Sequence, residues 1–271
     1  MSKVVVGIPT LNNPEYLKGC LDSIYRTHDM YNGIDVTILV LDDCSSVESL
    51  EKNKEICAAR GIDLLMHSQR YGVATAWNNL TRHLESEIVI LLNDDVEVIH
   101  NWLDVAIYTL ENNEQIGVVG FNAYEGDNSK LEANNMPTYI ESKIMLGGNL
   151  HPILSARGFA FAFRRYDFDA INGFDSNYFC FFEEIDFNFA MMMNLNKRNC
   201  ILSYPILKHY HGVTTTRELS NHTDIFNKSK ARLESKWSTK WPDIRTTFNV
   251  TNIPVIKCQL NEWNSNYNIW G

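Results

Sequence analysis

Two apolar runs in this chain, Val36 to Leu41 and Ile88 to Leu92, break off into adjacent acids, Asp42-Asp43 and Asn93-Asp94-Asp95. Aliphatic runs without polar alternation read as strands buried on both faces, and such strands belong to parallel sheets covered by helices. In an open α/β sheet the ligand crevice lies beyond the carboxyl ends of the strands, so both acidic pairs can face one site. Neighbouring carboxylates at a buried strand tip repel each other and are poorly hydrated. A hard divalent cation with oxygen ligands relieves both costs, and Mg2+ or Mn2+ bridging a pyrophosphate meets that demand. The competing reading is that each acid only caps the helix or turn that follows it.

The remaining pattern repeats the alternation of strand and helix. Val4 to Ile8 is a strand, and Pro14 opens a helix with Leu17, Cys20, Leu21 and Ile24 on one face. Ser45 and Glu48 have capping-box spacing for a helix closed by Gly61, and Ile62 to Met66 is a further strand. Gly72 precedes a helix carrying Ala74, Trp77 and Leu80, and Trp102 to Leu110 marks another before the strand Ile116 to Phe121. Residues 122–155 are irregular and rich in Asn, Gly and Glu, which predicts loops and short strands. Gly158 to Phe163 alternates as a strand, Asp186 to Met193 is helical, Asn199 to Tyr204 is a strand stopped by Pro205, and 221–237 is helical. The expected class is α/β: a Rossmann-like, mostly parallel central sheet flanked by helices, with a C-terminal helical extension.

With 271 residues, 24 Lys+Arg and 33 Asp+Glu, the net charge of −9 argues against broad capture of phosphate backbones. No run of about 18 apolar residues and no signal-peptide layout is present, so the expectation is a soluble chain without a membrane span. The six cysteines are scattered without a C-x-x-C pair, which suits a reducing cytoplasm.

A third acidic group, Glu183-Glu184-Ile185-Asp186, follows the aromatic run Phe179 to Phe182. Acids in a first helical turn answer the macrodipole, and aromatics are ordinary core; these bland readings stand beside a functional one. His209-Tyr210-His211-Gly212 forms a polar stretch further on, and its histidines are open to either simple exposure or metal ligation.

In order along the chain, Val5-Val6-Gly7-Ile8-Pro9-Thr10-Leu11-Asn12, Val40-Leu41-Asp42-Asp43-Cys44-Ser45-Ser46, Gly72-Val73-Ala74-Thr75-Ala76-Trp77-Asn78 and Leu91-Leu92-Asn93-Asp94-Asp95-Val96 resemble family 2 glycosyltransferases of the GT-A fold. The resemblance extends over residues 3–215. It implies that Pro9, Thr10, Leu11, Asn12 and Asp43 hold the nucleotide, with Asp42, Arg70, Gly72, Asn78, Asn93 and Asp94 around it. Asp95 would bind a metal on the diphosphate. Asn93 stands where the family has the first acid of its D-x-D motif, which leaves Asp95 as the main carboxylate ligand and Asp94 close to the sugar or ribose.

By the same resemblance Glu184 takes the role of catalytic base, with Glu183 and Asp186 as sharers, and His209 or His211 approaches the metal; alignment of Thr214 favours His209. Such a base removes the acceptor hydroxyl's proton opposite the leaving diphosphate, which inverts the anomeric centre. Burial beneath Phe179, Phe181 and Phe182 raises its pKa. Trp102 and the region from Gly147-Gly148 to Gly158 are expected to border the acceptor and the donor sugar. The implied cofactors are Mn2+ or Mg2+ and a nucleotide-sugar donor, UDP first and dTDP second. The partner is a glycan, a glycolipid or another hydroxyl-bearing acceptor, a modified nucleic-acid base included. The expected organisation is a glycosyltransferase domain over 1–218, with a nucleotide-sugar half (1–121) and an acceptor half (122–218), then an extension over 219–271. Alternatives from other classes are a nucleotidyltransferase or sugar-nucleotide pyrophosphorylase, disfavoured because Pro9 to Pro14 lacks the glycines and lysine of a phosphate loop, and a catalytically silent nucleotide- or carbohydrate-binding module.

Overall fold

The computed structural model describes residues 3–27, 35–99, 102–125, 150–210 and 221–240, with positions 213, 218 and 244. In its first part strands and helices alternate: β1 (Lys3–Thr10), α1 (Pro14–Thr27), β2 (Asp35–Asp42), α2 (Val47–Ala58), β3 (Asp63–Met66), α3 (Val73–His83), β4 (Ile88–Leu92), β5 (Val96–Val98) and α4 (Leu103–Asn112). The second part adds β6 (Ile116–Glu125), β7 (Leu150–Ile153), β8 (Ala160–Arg164), α5 (Arg165–Ala170), α6 (Glu183–Leu195), β9 (Arg198–His209) and α7 (His222–Trp237).

The strands form one sheet in the order β3-β2-β1-β4-β8-β6-β9-β5, with β7 also against β9. β3, β2, β1 and β4 run parallel, so their carboxyl ends lie along one edge. β8 enters antiparallel to β4, pairing Ala160 with Leu92, and this brings the loop before β8 to that same edge. β9 lies parallel to β6, and its end pairs antiparallel with β5, setting His209 opposite Val96.

Residues alternate along each strand between two cores, as the period of the pleat requires. Val4, Val6, Ile8, Ile88, Ile90, Leu92, Ala160 and Ala162 face one core with Leu17, Leu21 and Ile24 of α1 and Leu103 and Ala106 of α4. Val5, Val89, Leu91, Phe161 and Phe163 face the other with Ala74, Trp77 and Leu80 of α3 and Phe187 and Met191 of α6. Helices on both faces explain why β4 is buried along its whole length. At Gly7 an added Cβ would stand 3.0 Å from Leu80 Cβ, so the glycine lets α3 lie close on β1.

Several sequence expectations change in detail. The N-cap of α2 is Ser46, whose Oγ accepts from Ser49 N at 3.3 Å, not Ser45; Ser45 Oγ instead accepts from Asn12 N at 2.8 Å. The amino half of β2 is only partly covered because β3 is a short edge strand. β9 runs on through Pro205 rather than stopping there. On one edge its pairing with β7 ends at Leu202 and that with β5 begins at Leu207, so Pro205 falls between those two ladders; on the other edge it pairs with Asn122 of β6, where the register shifts. Trp102 lies wholly inside the first core against Phe121 and does not line the cavity at the sheet edge. Much of 122–155, including Gly147 and Gly148, lies outside the described residues. No helix among the described residues is long and apolar enough to cross a membrane.

The helix α7 is fastened to α6 by polar contacts. Asp186 accepts from Trp237 Nε1 at 2.7 Å, Lys236 Nζ at 2.7 Å and Tyr178 OH at 3.4 Å. Asp175 accepts from Arg232 at 2.6 Å, and Ser229 Oγ donates to Cys180 O at 2.7 Å. Asp186→Ala strands the buried indole N–H, so an unfolding free-energy loss of about 1–3 kcal/mol is expected, read as a lower urea midpoint; an unmoved midpoint would show that apolar contacts alone hold α7.

Candidate functional site

One cavity of about 480 Å3 opens at the edge where the parallel strands end. Its wall includes Pro9, Thr10 and Leu11 after β1, Asp43 after β2, Asn93, Asp94 and Asp95 after β4, and Glu183 and Glu184 at the start of α6. Arg70, Gly72, Gly158 and His209 complete the set of expected residues that the fold brings together there.

Asp43 lies just past β2, tied to β1 by its N–H donating to Thr10 O at 3.0 Å. Its carboxylate accepts from Tyr71 N at 3.0 Å, Gly72 N at 2.9 Å and His67 Nδ1 at 2.6 Å. Asn79 Nδ2 faces His67 Nε2 at 2.8 Å, which assigns the histidine proton to Nδ1, toward Asp43. Gly72 has φ +84°, and a Cβ there would run into the backbone of Phe179, so this turn admits only glycine. Through Val73 N donating to Phe179 O at 2.8 Å, the start of α3 is joined to the aromatic segment before α6.

Asp94 and Asp95 occupy different environments. Asp94 accepts from Thr10 Oγ1 at 2.7 Å, yet burial, followed by the charge of Asp95, pushes its carboxyl up to about 7. Asp95 Oδ1 is buried, accepts no hydrogen bond among the described residues, and stands 3.5 Å from His209 Nε2. His209 is held flat against the ring of Phe159 at 4.5 Å. A buried carboxylate oxygen with no donor among the described residues, beside an imidazole nitrogen, is a donor set that would suit Mn2+ or Mg2+. No cluster of three potential ligands occurs among the described residues, so this pair is what the described chain can offer a cation.

Glu183 and Glu184 begin α6, three residues earlier than the helical pattern predicts. Phe181 and Phe182 before them have φ of 70° and 68°, two bulky residues in succession in the left-handed region. Strain of this kind persists only where the surroundings hold it, here by packing on Phe226 at 5.6 and 5.0 Å. It turns the first turn of α6 into the cavity. Burial drives the Glu183 carboxyl well above its ordinary range, with the Glu184 charge adding to it, and burial also raises Glu184. Arg157, beside Glu184 in the cavity wall, works against that rise.

Four expected positions lie elsewhere. Asp42 turns to α2, accepting from Ser45 N at 2.7 Å and Asn53 Nδ2 at 2.8 Å, because successive residues of a strand point to opposite faces. Asn12 is a loop brace whose Oδ1 accepts from Ser46 N at 2.7 Å. Asn78 faces away from the cavity, donating to Phe174 O at 2.8 Å and accepting from Phe174 N at 2.9 Å. Asp186 is engaged with α7 and does not reach the cavity, so it is no sharer of a base's task. Arg70 stands at the rim, donating to Glu218 Oε2 at 2.6 Å, and His211 lies outside the described residues. Sequence reasoning missed His67, Trp77 as a cavity residue and Phe159, and it covered Arg157 only within the broad stretch that ends at Gly158. His67 carries no periodic signal, and Trp77 reads as core on helical spacing.

The sequence profile for Glycosyl transferase family 2 matches residues 5–171. Among solved structures, the mannosyltransferase PcManGT from Pyrobaculum calidifontis, in complex with GDP-Man and Mn2+, is 19% identical with a TM-score of 0.57, over 75% of this chain and 57% of that one. A TarS fragment from S. aureus in complex with UDP is 17% identical with a TM-score of 0.57, over 76% and 60%. GalNAc-T7 with UDP, GalNAc and Mn2+ is 14% identical with a TM-score of 0.61, over 77% and 43%. This chain thus spans less than two thirds of each of these proteins. No curated protein sequence matches it significantly.

The raised Glu183 carboxyl makes a pH-dependent prediction. The folded state binds this proton more tightly than the unfolded chain, so the group costs nothing below the unfolded carboxylate range near ~4.3 and lowers stability as pH rises above it. Glu183→Gln, which cannot ionise, is expected to raise the melting temperature at pH 8 and leave it unchanged at pH 4. An equal shift at both pH values would assign the effect to packing.

Proposed function

Because this chain belongs to glycosyl transferase family 2 and has the GT-A fold, we propose that it transfers a sugar from a nucleotide-diphosphate donor to an acceptor hydroxyl, inverting the anomeric centre in one displacement. The observation that carries this reading is the continuity of one cavity from Asp43, past Asp94 and Asp95, to Glu183 and Glu184.

Asp43 holds the nucleotide at one end. With two backbone N–H groups and His67 already fixing its orientation, its carboxylate presents a preset acceptor to a base or ribose donor. Pro9, Thr10 and Leu11 flank it. Asp95 and His209 would hold Mn2+ or Mg2+, which when bound supplies positive charge against the leaving diphosphate. Glu184 takes the proton of the attacking hydroxyl. Burial raises its pKa above that of an exposed carboxylate, which makes it a stronger base, and the backbone N–H groups of Glu184 and Ile185, then the charge of Arg157, oppose that rise. The solved relatives carrying UDP support a uridine donor, with dTDP second; GDP-Man on the Pyrobaculum calidifontis protein marks the base as the feature to test first. The acceptor class we propose is a hydroxyl-bearing glycan or glycolipid.

Glu184→Gln is expected to lower transfer by about 10^2- to 10^4-fold while leaving UDP affinity within about twofold. Full activity of that variant would remove Glu184 from the base's role. Asp95→Asn, or chelation by EDTA, is expected to weaken both donor binding and turnover, measured by UDP release with and without Mn2+. A wild-type protein that binds UDP-sugars yet releases no nucleotide with any acceptor is the behaviour of a silent binding module.

A further inference from the structure

Resting on that reading, we propose that the cavity contains a subsite for a single sugar hydroxyl, held between the indole N–H of Trp77 and Oε2 of Glu183, and that this pair selects the sugar. Both residues line the cavity, and both are buried, at 1% and 5% relative exposure. Trp77 Nε1 and Glu183 Oε2 each lack a hydrogen-bond partner among the described residues. A buried polar atom left without a partner costs on the order of 1–3 kcal/mol, so two in one cavity point to something absent from the bare chain.

The indole packs against Phe161 at 5.3 Å and Phe174 at 5.1 Å, and Glu183, its backbone in a helix, is buried in the first turn of α6. Between α3 and α6 sits Gly158: a Cβ there would lie 3.4 Å from Trp77 Cη2 and 3.4 Å from Glu184 Cδ. The glycine thus keeps the space beside the indole clear next to the proposed base.

The chemistry of the two atoms narrows the ligand. The indole only donates, and Glu183 Oε2 offers an acceptor. A hydroxyl satisfies both at once, its oxygen accepting from Trp77 and its proton going to Glu183. An ammonium, by contrast, would have nothing with which to accept from the indole. The hydroxyl belongs either to the donor hexose or to the acceptor sugar, which the experiment separates.

The test is calorimetric binding of UDP, UDP-glucose and UDP-galactose, with their 2-, 3-, 4- and 6-deoxy analogues, to wild type, Trp77→Phe and the volume-keeping Glu183→Met. For a donor hydroxyl, UDP affinity stays within about twofold in each variant while the affinity of the preferred UDP-hexose falls about 10- to 100-fold. One deoxy analogue then binds wild type equally weakly and loses nothing further in either variant. For an acceptor hydroxyl, donor affinities stay constant in both variants and the acceptor KM rises by the same factor. Equal weakening of UDP and UDP-hexose, or the absence of any hydroxyl whose removal cancels the variants' effect, overturns the proposal and leaves the pair to packing or bound water. If wild type binds neither UDP nor any UDP-hexose, the glycosyl-transfer reading itself fails, and the subsite with it.

Discussion

Asp94 and Asp95 stand side by side at the end of a strand buried on both faces, and their repulsion in that dry setting is the condition the rest of the site answers. Thr10, at the tip of the neighbouring strand, takes up part of it by donating to Asp94. His209 comes from the far end of the chain, carried there by the antiparallel pairing of β9 with β5. What remains is Asp95 Oδ1, with no donor among the described residues, a buried acceptor whose desolvation a cation would offset.

The other half of the cavity is built on backbone rather than charge. Gly72 lets the start of α3 touch the Phe179 carbonyl, and Phe181 and Phe182 take left-handed conformations to turn α6 inward. Those two residues are held by the aromatic contacts with Phe226 on α7, and α7 is held by Asp186 and Asp175. A helix outside the sheet thereby helps set the direction of Glu183 and Glu184. The same inward turn takes Glu183 out of water, and its displaced pKa is the electrostatic consequence.

Much of this was legible in the sequence wherever a local rule applies. The aliphatic run of β4, the helical face of α1 and the acids after β2 and β4 all depend on near neighbours, and they sit where periodicity places them. Side-chain destination is a different matter. Asp42 and Asp43 are adjacent and chemically identical, yet one serves α2 and the other the cavity, because the pleat sends them opposite ways. Asp186 belongs to the same acidic cluster as Glu184, yet its position around the helix aims it at α7. The unbroken passage of β9 through Pro205 depended on which strands lie beside it, information that no local window contains.

The amino-acid order by itself determined the alternation of strand and helix, the placing of acids at strand tips and the family resemblance, since each depends on spacing along one segment. Only the tertiary structure decided which carboxylates share a cavity, that His67 steadies Asp43, and that Trp77 Nε1 and Glu183 Oε2 both end there without partners among the described residues. Those outcomes depend on contacts between residues far apart in the chain, and burial, which sets their energies, exists only once the sheet and its two helical layers have closed around them.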